Sequence, residues 1–495
     1  MLQKRLLLLL VVASFALLAI AATRRYLSIR EVAQIAPGTT QSTGCEEESF
    51  YAVWRAARGQ EVYADTARLP FASAYFNWAF YRSYGAFVRP IIEQHGDAAL
   101  PFAGRLLTLI GAVAGALVAG LLCAALLREQ PGEIRWLGIA LGAAAFLGPI
   151  TSWWIVTVRP DIWAYALEAC AVALLLWQYR TRPKLSVFLA TLLFFASWSF
   201  KHNYVAGLGA ALVFLLVRKD WLGAALMTIV SIALWGTTIA TMGASYWESI
   251  RSSTHADFSL GNGLGIGKQA LMKSLPVLVA LPLVLRTLFL RRHTTSPRTL
   301  AGDALLLGAI GLALSTLLTF PSTCKIGAAS NYYFTVFFIA CLAVCAALAL
   351  NRATYTPLLV ALGLATVLVA PLTGKFGTLS LRPSALDLAE RWRAWQQQPE
   401  PRYSFDLRLN VPWLVRTSPP IVLAYNYDWD RRHQRTFESG GIGGLIEQGY
   451  FASLFLPADT TTHHDGGSLK RYTRVSDISQ LTLYRRTDLP PPSAP

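Results

Sequence analysis

Long apolar runs that recur along the chain constrain its fold more than any other feature. The run Pro101–Leu127, at about 1.5 Å per helical residue, is long enough to cross a hydrocarbon core of roughly 30 Å. Only 15% of the residues are charged and 54% are hydrophobic, whereas a soluble globular domain has about 25% charged residues. The sequence therefore predicts an all-α polytopic membrane protein.

The apolar runs predict about eleven transmembrane helices. The first run follows Lys4 and Arg5 and also has the pattern of a cleaved signal peptide, but we favour a retained signal anchor. Leu185–Phe200 and Val205–Val217 are candidates for broken or tilted helices. The predicted runs are Leu6–Ala22, Pro101–Leu127, Leu137–Val158, Ile162–Tyr179, Leu185–Phe200, Val205–Val217, Leu222–Met242, Ala270–Leu290, Leu300–Phe320, Tyr332–Leu350 and Pro357–Pro371.

Basic residues lie in short loops between the apolar runs, and alternate loops differ in how many they hold. The net charge is +16, but no soluble face collects it, which argues against nucleic-acid binding. The positive-inside rule places the richer loops and the N-terminus in the cytoplasm. An odd number of spans then places the C-terminal region outside the inner membrane. The richer loops hold Lys4, Arg5, Arg128, Arg135, Arg180, Arg182, Lys184, Arg218, Lys219, Arg291, Arg292, Arg298 and Arg352.

This pattern divides the chain into four parts. Residues 1–22 form the first transmembrane helix, residues 23–100 a large outer loop, residues 101–371 the transmembrane bundle, and residues 372–495 a soluble outer tail. The outer loop has two aromatic-rich segments typical of interfacial helices. The tail combines a helical pattern with "PPIVLAYNY" and "LTLYRR", which predict short strands. We therefore expect a small α/β domain after the bundle.

The first outer loop carries three consecutive acids, Glu46, Glu47 and Glu48, directly before a segment with helical spacing that Gly59 ends. A carboxylate in such a place suits the deprotonation of a hydroxyl group. The alternative is a solvated acidic cap, because acids favour the N-terminus of a helix.

Basic and polar side chains gather at three helix junctions that the charge pattern places on the same outer side. The junctions read "VRPDIWAY", "SFKHNYVAG" and "KIGAASNYYF". Cations in this arrangement suit a phosphate group, and the aromatic rings suit a sugar. The alternatives are a helix-terminal charge for Asp161 and snorkelling of Lys201 to the interface. The residues singled out are Arg159, Asp161, Lys201, His202, Lys325, Asn331 and Tyr332.

The order of these stretches resembles the membrane glycosyltransferases of the C superfamily (GT-C). The similarity is greatest to the bacterial protein-mannosyltransferase-like and aminoarabinose-transferase-like group, through "EEESFYAVWRAARGQEVYAD", "RPD" and "KIGAASNYY". The group usually has Asp at the first acidic position, where this chain has Glu. The resemblance implies a hexosyl- or pentosyl-type glycosyltransferase that uses a polyprenyl-phosphate sugar donor within membrane lipid. The acceptor it implies is a hydroxyl group on a glycan, lipid or protein.

The resemblance also implies roles for individual residues. Glu46 or Glu47 would be the base of an inverting transfer, or would hold a divalent cation such as Mg²⁺ or Mn²⁺, and Glu48 stays open as a third choice. A retaining transfer would instead want two closely placed carboxylates. The residues that would bind the donor phosphate are Arg159, Lys201, His202 and Lys325. Those that would line the substrate pocket are Asp161, Asn331, Tyr332, Tyr63 and Asp65.

Two further expectations concern the outer side. Cys45 and Cys324 both fall there, and an oxidising compartment allows a disulfide between them. The same basic pocket and many spans also suit a transporter or flippase for lipid-linked sugars. A transporter more often has related halves with broken helices at the bilayer midplane, and the sequence has no internal repeat at a fixed period. We therefore favour the transferase.

Overall fold

The structure is a computed structural model, and most of the residues that it describes are helical. The described residues are 2–35, 46–72, 74–252, 256–291, 299–351, 356–373, 390–406, 409–413, 425–432, 434–457, 467–478 and 481–489. The main helices are α1 (Leu2–Ile35), α2 (Glu46–Ala57), α3 (Trp78–His95), α4 (Leu100–Leu126), α5 (Gly132–Leu147), α6 (Asp161–Gln178), α7 (Pro183–Phe200), α8 (Ala206–Val217), α9 (Trp221–Thr241), α10 (Ala244–Ser252), α11 (Leu260–Lys273), α12 (Leu275–Arg291), α13 (Leu300–Thr323), α14 (Phe334–Leu350) and α15 (Thr356–Thr373).

Seven described helices are long and apolar enough to cross a membrane. The pair α11 and α12 passes the same test together but is bent by 83°, which brings the number to eight. The protein is therefore a multi-pass membrane protein. The apolar helix α8 is shorter, as is the apolar segment Pro357–Val369 within α15, so the total of about eleven spans stays a prediction. α1 continues past the expected end at Ala22 to Ile35.

The predicted run Leu137–Val158 is not one helix. α5 ends at Leu147 with Gly148 as its C-cap, and Ser152–Val156 forms a short 3-10 helix. Pro149 follows, and a proline has no backbone N–H to continue a helical ladder. The chain therefore turns before it reaches the start of α6.

The bundle packs closely where small residues face a neighbouring helix. A Cβ atom added at Gly142 would lie 2.7 Å from the carbonyl oxygen of Ala119, so α4 and α5 touch backbone to backbone. Small residues permit this close approach between membrane helices. Deeper in the bundle, the ring of Phe146 stacks on Tyr165 with 4.0 Å between centroids.

The outer loop forms the two expected helices, α2 and α3. Gly59 follows the end of α2 with φ +69°, a conformation that glycine adopts without the steric cost of a side chain. α2 is buried rather than spread on a surface. Its Phe50 and Val53 belong to an apolar cluster with Trp413 and Phe455 of the tail.

The tail contains a four-stranded sheet, as the α/β expectation requires. Its strands are β1 (Arg402–Ser404), β2 (Ser453–Pro457), β3 (Tyr472–Ile478) and β4 (Leu481–Arg486), in the order β1-β2-β4-β3. β1 pairs with β2 in parallel and the other pairs are antiparallel. The strand predicted from "LTLYRR" is confirmed as β4. The described end of "PPIVLAYNY" instead begins the helix Tyr425–Arg432.

Candidate active site

Asp161 is the centre of a buried charged group at the N-terminal end of α6. Its Oδ1 atom accepts hydrogen bonds from Lys201 Nζ and from Asn331 Nδ2, the latter at 2.5 Å. The Nε atom of Arg159 lies 3.4 Å from Asp161 Oδ2. These four residues, called here the Asp161 cluster, come from three separate junctions of the bundle. The sequence singled out all four, and the fold brings them together.

Aromatic rings enclose the two cations of the Asp161 cluster. The guanidinium of Arg159 lies 4.5 Å from the ring centroid of Trp154 and 5.2 Å from that of Phe76. The ammonium of Lys201 lies 5.3 Å from the Tyr332 ring and 5.8 Å from the Phe76 ring. Contacts of this kind stabilise a desolvated cation. The ring of Tyr332 therefore lies against the Asp161 cluster.

Glu46 is held in an ion pair with Arg105. Arg105 donates from Nε at 3.1 Å and from Nη2 at 2.9 Å to the two carboxylate oxygens. The backbone N–H of Val158 donates to the same Oε1 atom at 2.9 Å. Both side chains are buried. The ion pair fixes the start of α2 against α4 and against the turn before α6.

Glu47 and Glu48 are also buried, with exposed fractions of 8% and 1%, so the alternative of a solvated acidic cap is wrong. Neither carboxylate oxygen of Glu48 has a hydrogen-bond partner among the described residues. Burial raises the pKa of Glu48 well above its usual value, the charge of Glu47 adds to this, and Arg159 opposes it.

Burial raises the pKa of Glu47 to about 7, mainly through desolvation. The charges of Glu46 and Asp406 add to the rise, while a backbone hydrogen bond and the charge of Arg159 oppose it. The charge of Arg159 thus acts on the pKa of both Glu47 and Glu48. Glu47, Glu48 and the Asp161 cluster therefore make up the candidate site.

His202 and Lys325 lie beside this site. Burial lowers the pKa of His202 to about 4, and the charges of Lys201 and Lys325 lower it further, so the imidazole is neutral at pH 7. Its Nδ1 atom has no hydrogen-bond partner in the part of the chain that the structure describes. Lys325 is half-buried, and its carbonyl oxygen accepts from Asn262 Nδ2 at 2.7 Å.

Tyr63 and Asp65 occupy different surroundings. The hydroxyl of Tyr63 donates to the carbonyl oxygen of Phe76 at 2.8 Å, so Tyr63 supports the residue whose ring covers both cations. Asp65 is about half exposed and forms ion pairs with Arg68 and Arg435 at 3.5 and 3.7 Å. It lies where the outer loop meets the tail.

The remaining expectations concern cysteines and a metal ion. Cys324 is buried at the end of α13, and Cys45 lies outside the described residues, so their disulfide stays a prediction. No group of three or more His, Cys, Asp or Glu side chains in the described ranges is arranged to hold a metal ion. The divalent cation expected at Glu46 or Glu47 also stays a prediction.

Sequence reasoning missed Arg105, Trp154 and Phe76. Arg105 had a usable signal, because it is a single charge inside the apolar run Pro101–Leu127 and such charges are costly without a partner. Phe76 had none, since the outer loop is rich in aromatics throughout, and Trp154 had none because it lies inside the predicted apolar run Leu137–Val158.

Comparison with protein-family models and with curated proteins finds no match. Solved structures do match over nearly the whole chain. ArnT from Cupriavidus metallidurans bound to undecaprenyl phosphate is 13% identical, with a TM-score of 0.61, and the match covers 97% of this chain and 99% of that one. ArnT from the same organism in the apo state is also 13% identical, with a TM-score of 0.60, and coverage is 95% and 97%. The chain has the ArnT fold.

The ArnT fold confirms the resemblance that the short motifs indicated. ArnT is a GT-C aminoarabinose transferase, and the motifs pointed to that group of folds. The match includes both the helical bundle and the tail, because it covers nearly all of both chains.

Proposed function

We propose that this protein is a glycosyltransferase that moves a sugar from a polyprenyl-phosphate donor to a hydroxyl acceptor on the outer face of the inner membrane. The observation that carries the proposal is the match to ArnT over nearly the whole chain, in a structure bound to undecaprenyl phosphate. The buried charges lie at the ends of the bundle helices, and we expect the phosphate of the donor to bind there. The proposed donor carries a hexosyl or pentosyl group, and the proposed acceptor is a hydroxyl group on a glycan, lipid or protein.

The Asp161 cluster is suited to the donor phosphate. It sets two cations, Arg159 and Lys201, against the single carboxylate of Asp161. In a transfer the sugar leaves the phosphate, and negative charge grows on the phosphate oxygen that it leaves. Fixed cations in a dry site stabilise such growing charge strongly. His202 adds a neutral imidazole and Lys325 a further cation at the edge.

Glu47 and Glu48 are suited to removing the proton from the acceptor hydroxyl. A general base works best when its pKa is near the working pH, and the pKa of Glu47 is about 7. Glu46 is less suited, because Arg105 and Val158 already use both of its oxygens. A single base that activates the acceptor supports direct displacement with inversion, since a retaining reaction needs a second carboxylate as nucleophile.

Transfer by the purified protein in proteoliposomes tests this proposal. We would supply polyprenyl-phosphate sugars labelled in the sugar, with membrane extract as the source of acceptors, and add a chelator in a parallel sample. We expect label to move to an acceptor with at least one donor, and loss of transfer in the chelator would assign a divalent cation to the site. Movement of intact labelled donor across the bilayer without sugar transfer would support the transporter instead.

A further inference from the structure

The acid Glu168 lies inside the transmembrane bundle, and the mechanism proposed above does not use it. Glu168 is 1% exposed and lies in α6, seven residues after Asp161. That spacing is about two helical turns, so both carboxylates project from one face of α6, about 10 Å apart along its axis. An acid at this depth is costly unless partners hold it, which points to a role.

Glu168 joins three helices. Its Oε1 atom accepts from the backbone N–H of Gly207 at 3.0 Å, and its Oε2 atom accepts from the hydroxyl of Thr335. Gly207 lies in the first turn of α8 and Thr335 in the first turn of α14. The carboxylate therefore connects α6 to the start of both neighbouring helices.

The same three segments also meet at Asp161. Lys201 precedes Gly207 by six residues, and Asn331 precedes Thr335 by four, which is about one turn. Between Lys201 and Gly207, the hydroxyl of Tyr204 donates to the carbonyl oxygen of Asp161 at 3.1 Å. The segments Lys201–Gly207 and Asn331–Thr335 thus each contact α6 both at Asp161 and at Glu168.

Gly207 leaves space for this contact. A Cβ atom added there would lie 2.5 Å from Glu168 Oε1 and 2.8 Å from the ring of Phe194. A side chain at this position would push the carboxylate away from the backbone N–H. The absence of a side chain lets the carboxylate approach the backbone of α8.

We propose that Glu168 is a positioning residue of the active site, which holds the starts of α8 and α14 so that Lys201 and Asn331 stay on Asp161. Its two hydrogen bonds fix two segments whose outer ends carry site side chains. The kinetic part of this inference rests on the proposed transferase function. The geometric part does not, because it concerns only where Lys201 and Asn331 lie.

Three substitutions distinguish a positioning role of Glu168 from an effect of its negative charge. Thr335→Val removes one hydrogen bond at nearly constant volume, and Gly207→Ala displaces the carboxylate. Glu168→Gln keeps both bonds, since its carbonyl oxygen accepts from Gly207 and its amide donates to Thr335. We expect Thr335→Val and Gly207→Ala to lower kcat by about 10- to 100-fold with the donor KM nearly unchanged. The kcat of Glu168→Gln should stay within about twofold of the wild-type value.

Two controls and a second readout keep the test independent of stability. Thr335→Ser restores the hydroxyl and should restore kcat. Thr191→Val removes a buried hydroxyl whose hydrogen bond among the described residues stays within α7, to the carbonyl of Val187, and should leave kcat unchanged. The second readout is labelling of the Lys201 amine by an amine-reactive reagent, followed by mass spectrometry. Labelling should rise in Gly207→Ala and Thr335→Val at unchanged melting temperature.

The inference is overturned if Thr335→Val and Gly207→Ala match Thr191→Val in both readouts. It is also overturned if Glu168→Gln loses as much activity as Gly207→Ala, because Glu168 would then act through its charge. If wild type transfers no sugar from any donor, the proposed function fails, while the labelling of Lys201 still decides the positioning role.

Discussion

At the scale of single residues, the three glutamates of α2 have different surroundings although they are adjacent in sequence. Glu46 is paired with Arg105, whereas Glu48 has no hydrogen-bond partner among the described residues. The sequence placed all three near the site, but it favoured Glu46 or Glu47 over Glu48. Nothing local in a run of identical residues shows which one meets an arginine 59 positions away.

Glu46→Gln should act mainly on stability. It leaves the Arg105 guanidinium buried without its carboxylate, and breaking a buried ion pair in this way costs about 3–5 kcal/mol. We expect a lower melting temperature in detergent. The double variant Glu46→Leu with Arg105→Met, which removes both charges, should recover most of the loss. A Glu46→Gln variant with the same melting temperature as wild type would contradict this structural role.

Glu47 should make stability depend on pH. Its folded pKa of about 7 lies above the ordinary value of 4.5, so the folded state keeps a proton that the unfolded state loses. The contribution to the free energy of unfolding is therefore greatest below about pH 4.5. It falls by up to about 3 kcal/mol as the pH rises to about 7.

Melting curves of wild type and Glu47→Gln across this pH range measure the effect. The difference between the two proteins should change between pH 4.5 and 7 and be constant above. Glu93→Gln, at an exposed residue paired with Arg89, is the matched control. A difference between wild type and Glu47→Gln that stays constant throughout the range would show that the folded protein does not hold the Glu47 proton.

At the scale of elements, α2 depends on close contact with α3. A Cβ atom at Gly85 of α3 would lie 2.7 Å from the Cβ of Ala56 and 2.9 Å from the backbone nitrogen of Ala57. Gly85→Ala must therefore push α2 away from its neighbour and shift Glu47 and Glu48. We expect at least a tenfold loss of transfer, because small misplacements of site groups are costly.

Gly236→Ala is the control for that substitution. Gly236 lies in α9 and an added Cβ would meet nothing within 4 Å, so alanine should be neutral or stabilise the helix by up to about 1 kcal/mol. Both variants are compared by transfer rate and melting temperature. Equal behaviour of the two would mean that α2 is free to move without effect on the site.

Apolar runs predicted where helices lie better than how they are interrupted. The run Ala270–Leu290 looked continuous, yet the structure divides it into α11 and α12 with an 83° bend. The break comes at Ser274, shortly before Pro276, and a proline fits the first turn of a new helix. Hydropathy averages over such a break, because apolar residues lie on both sides of it.

At the scale of the whole molecule, the tail meets the first outer loop through Arg435. This arginine pairs with Asp65 of the loop, Glu248 of α10 and Asp430 of the tail. Nothing in the sequence indicated the contact between loop and tail, since Asp65 and Arg435 are about 370 residues apart. It explains why Asp65, predicted as a pocket residue, lies at the contact between loop and tail.

The charge pattern also predicts the direction of insertion. Alkaline phosphatase, which is active only outside the cytoplasm, should be active when fused after residue 489. It should be inactive when fused after Lys219, in a loop that the positive-inside rule places in the cytoplasm. Activity only in the second fusion would invert the orientation and place the Asp161 cluster on the cytoplasmic side.

We propose that the Asp161 cluster serves sugar transfer from a polyprenyl-phosphate donor, and substitution of Lys201 tests this role most directly. We would compare transfer of labelled sugar in proteoliposomes by wild type, Lys201→Met and Lys184→Met. Lys201 follows the C-terminal end of α7, while Lys184 is exposed near its other end, so the variants lose the same charge from opposite ends of one helix. We predict that Lys201→Met loses about 100-fold or more in transfer rate and that Lys184→Met keeps the wild-type rate. Wild-type transfer by a folded Lys201→Met protein would contradict the account.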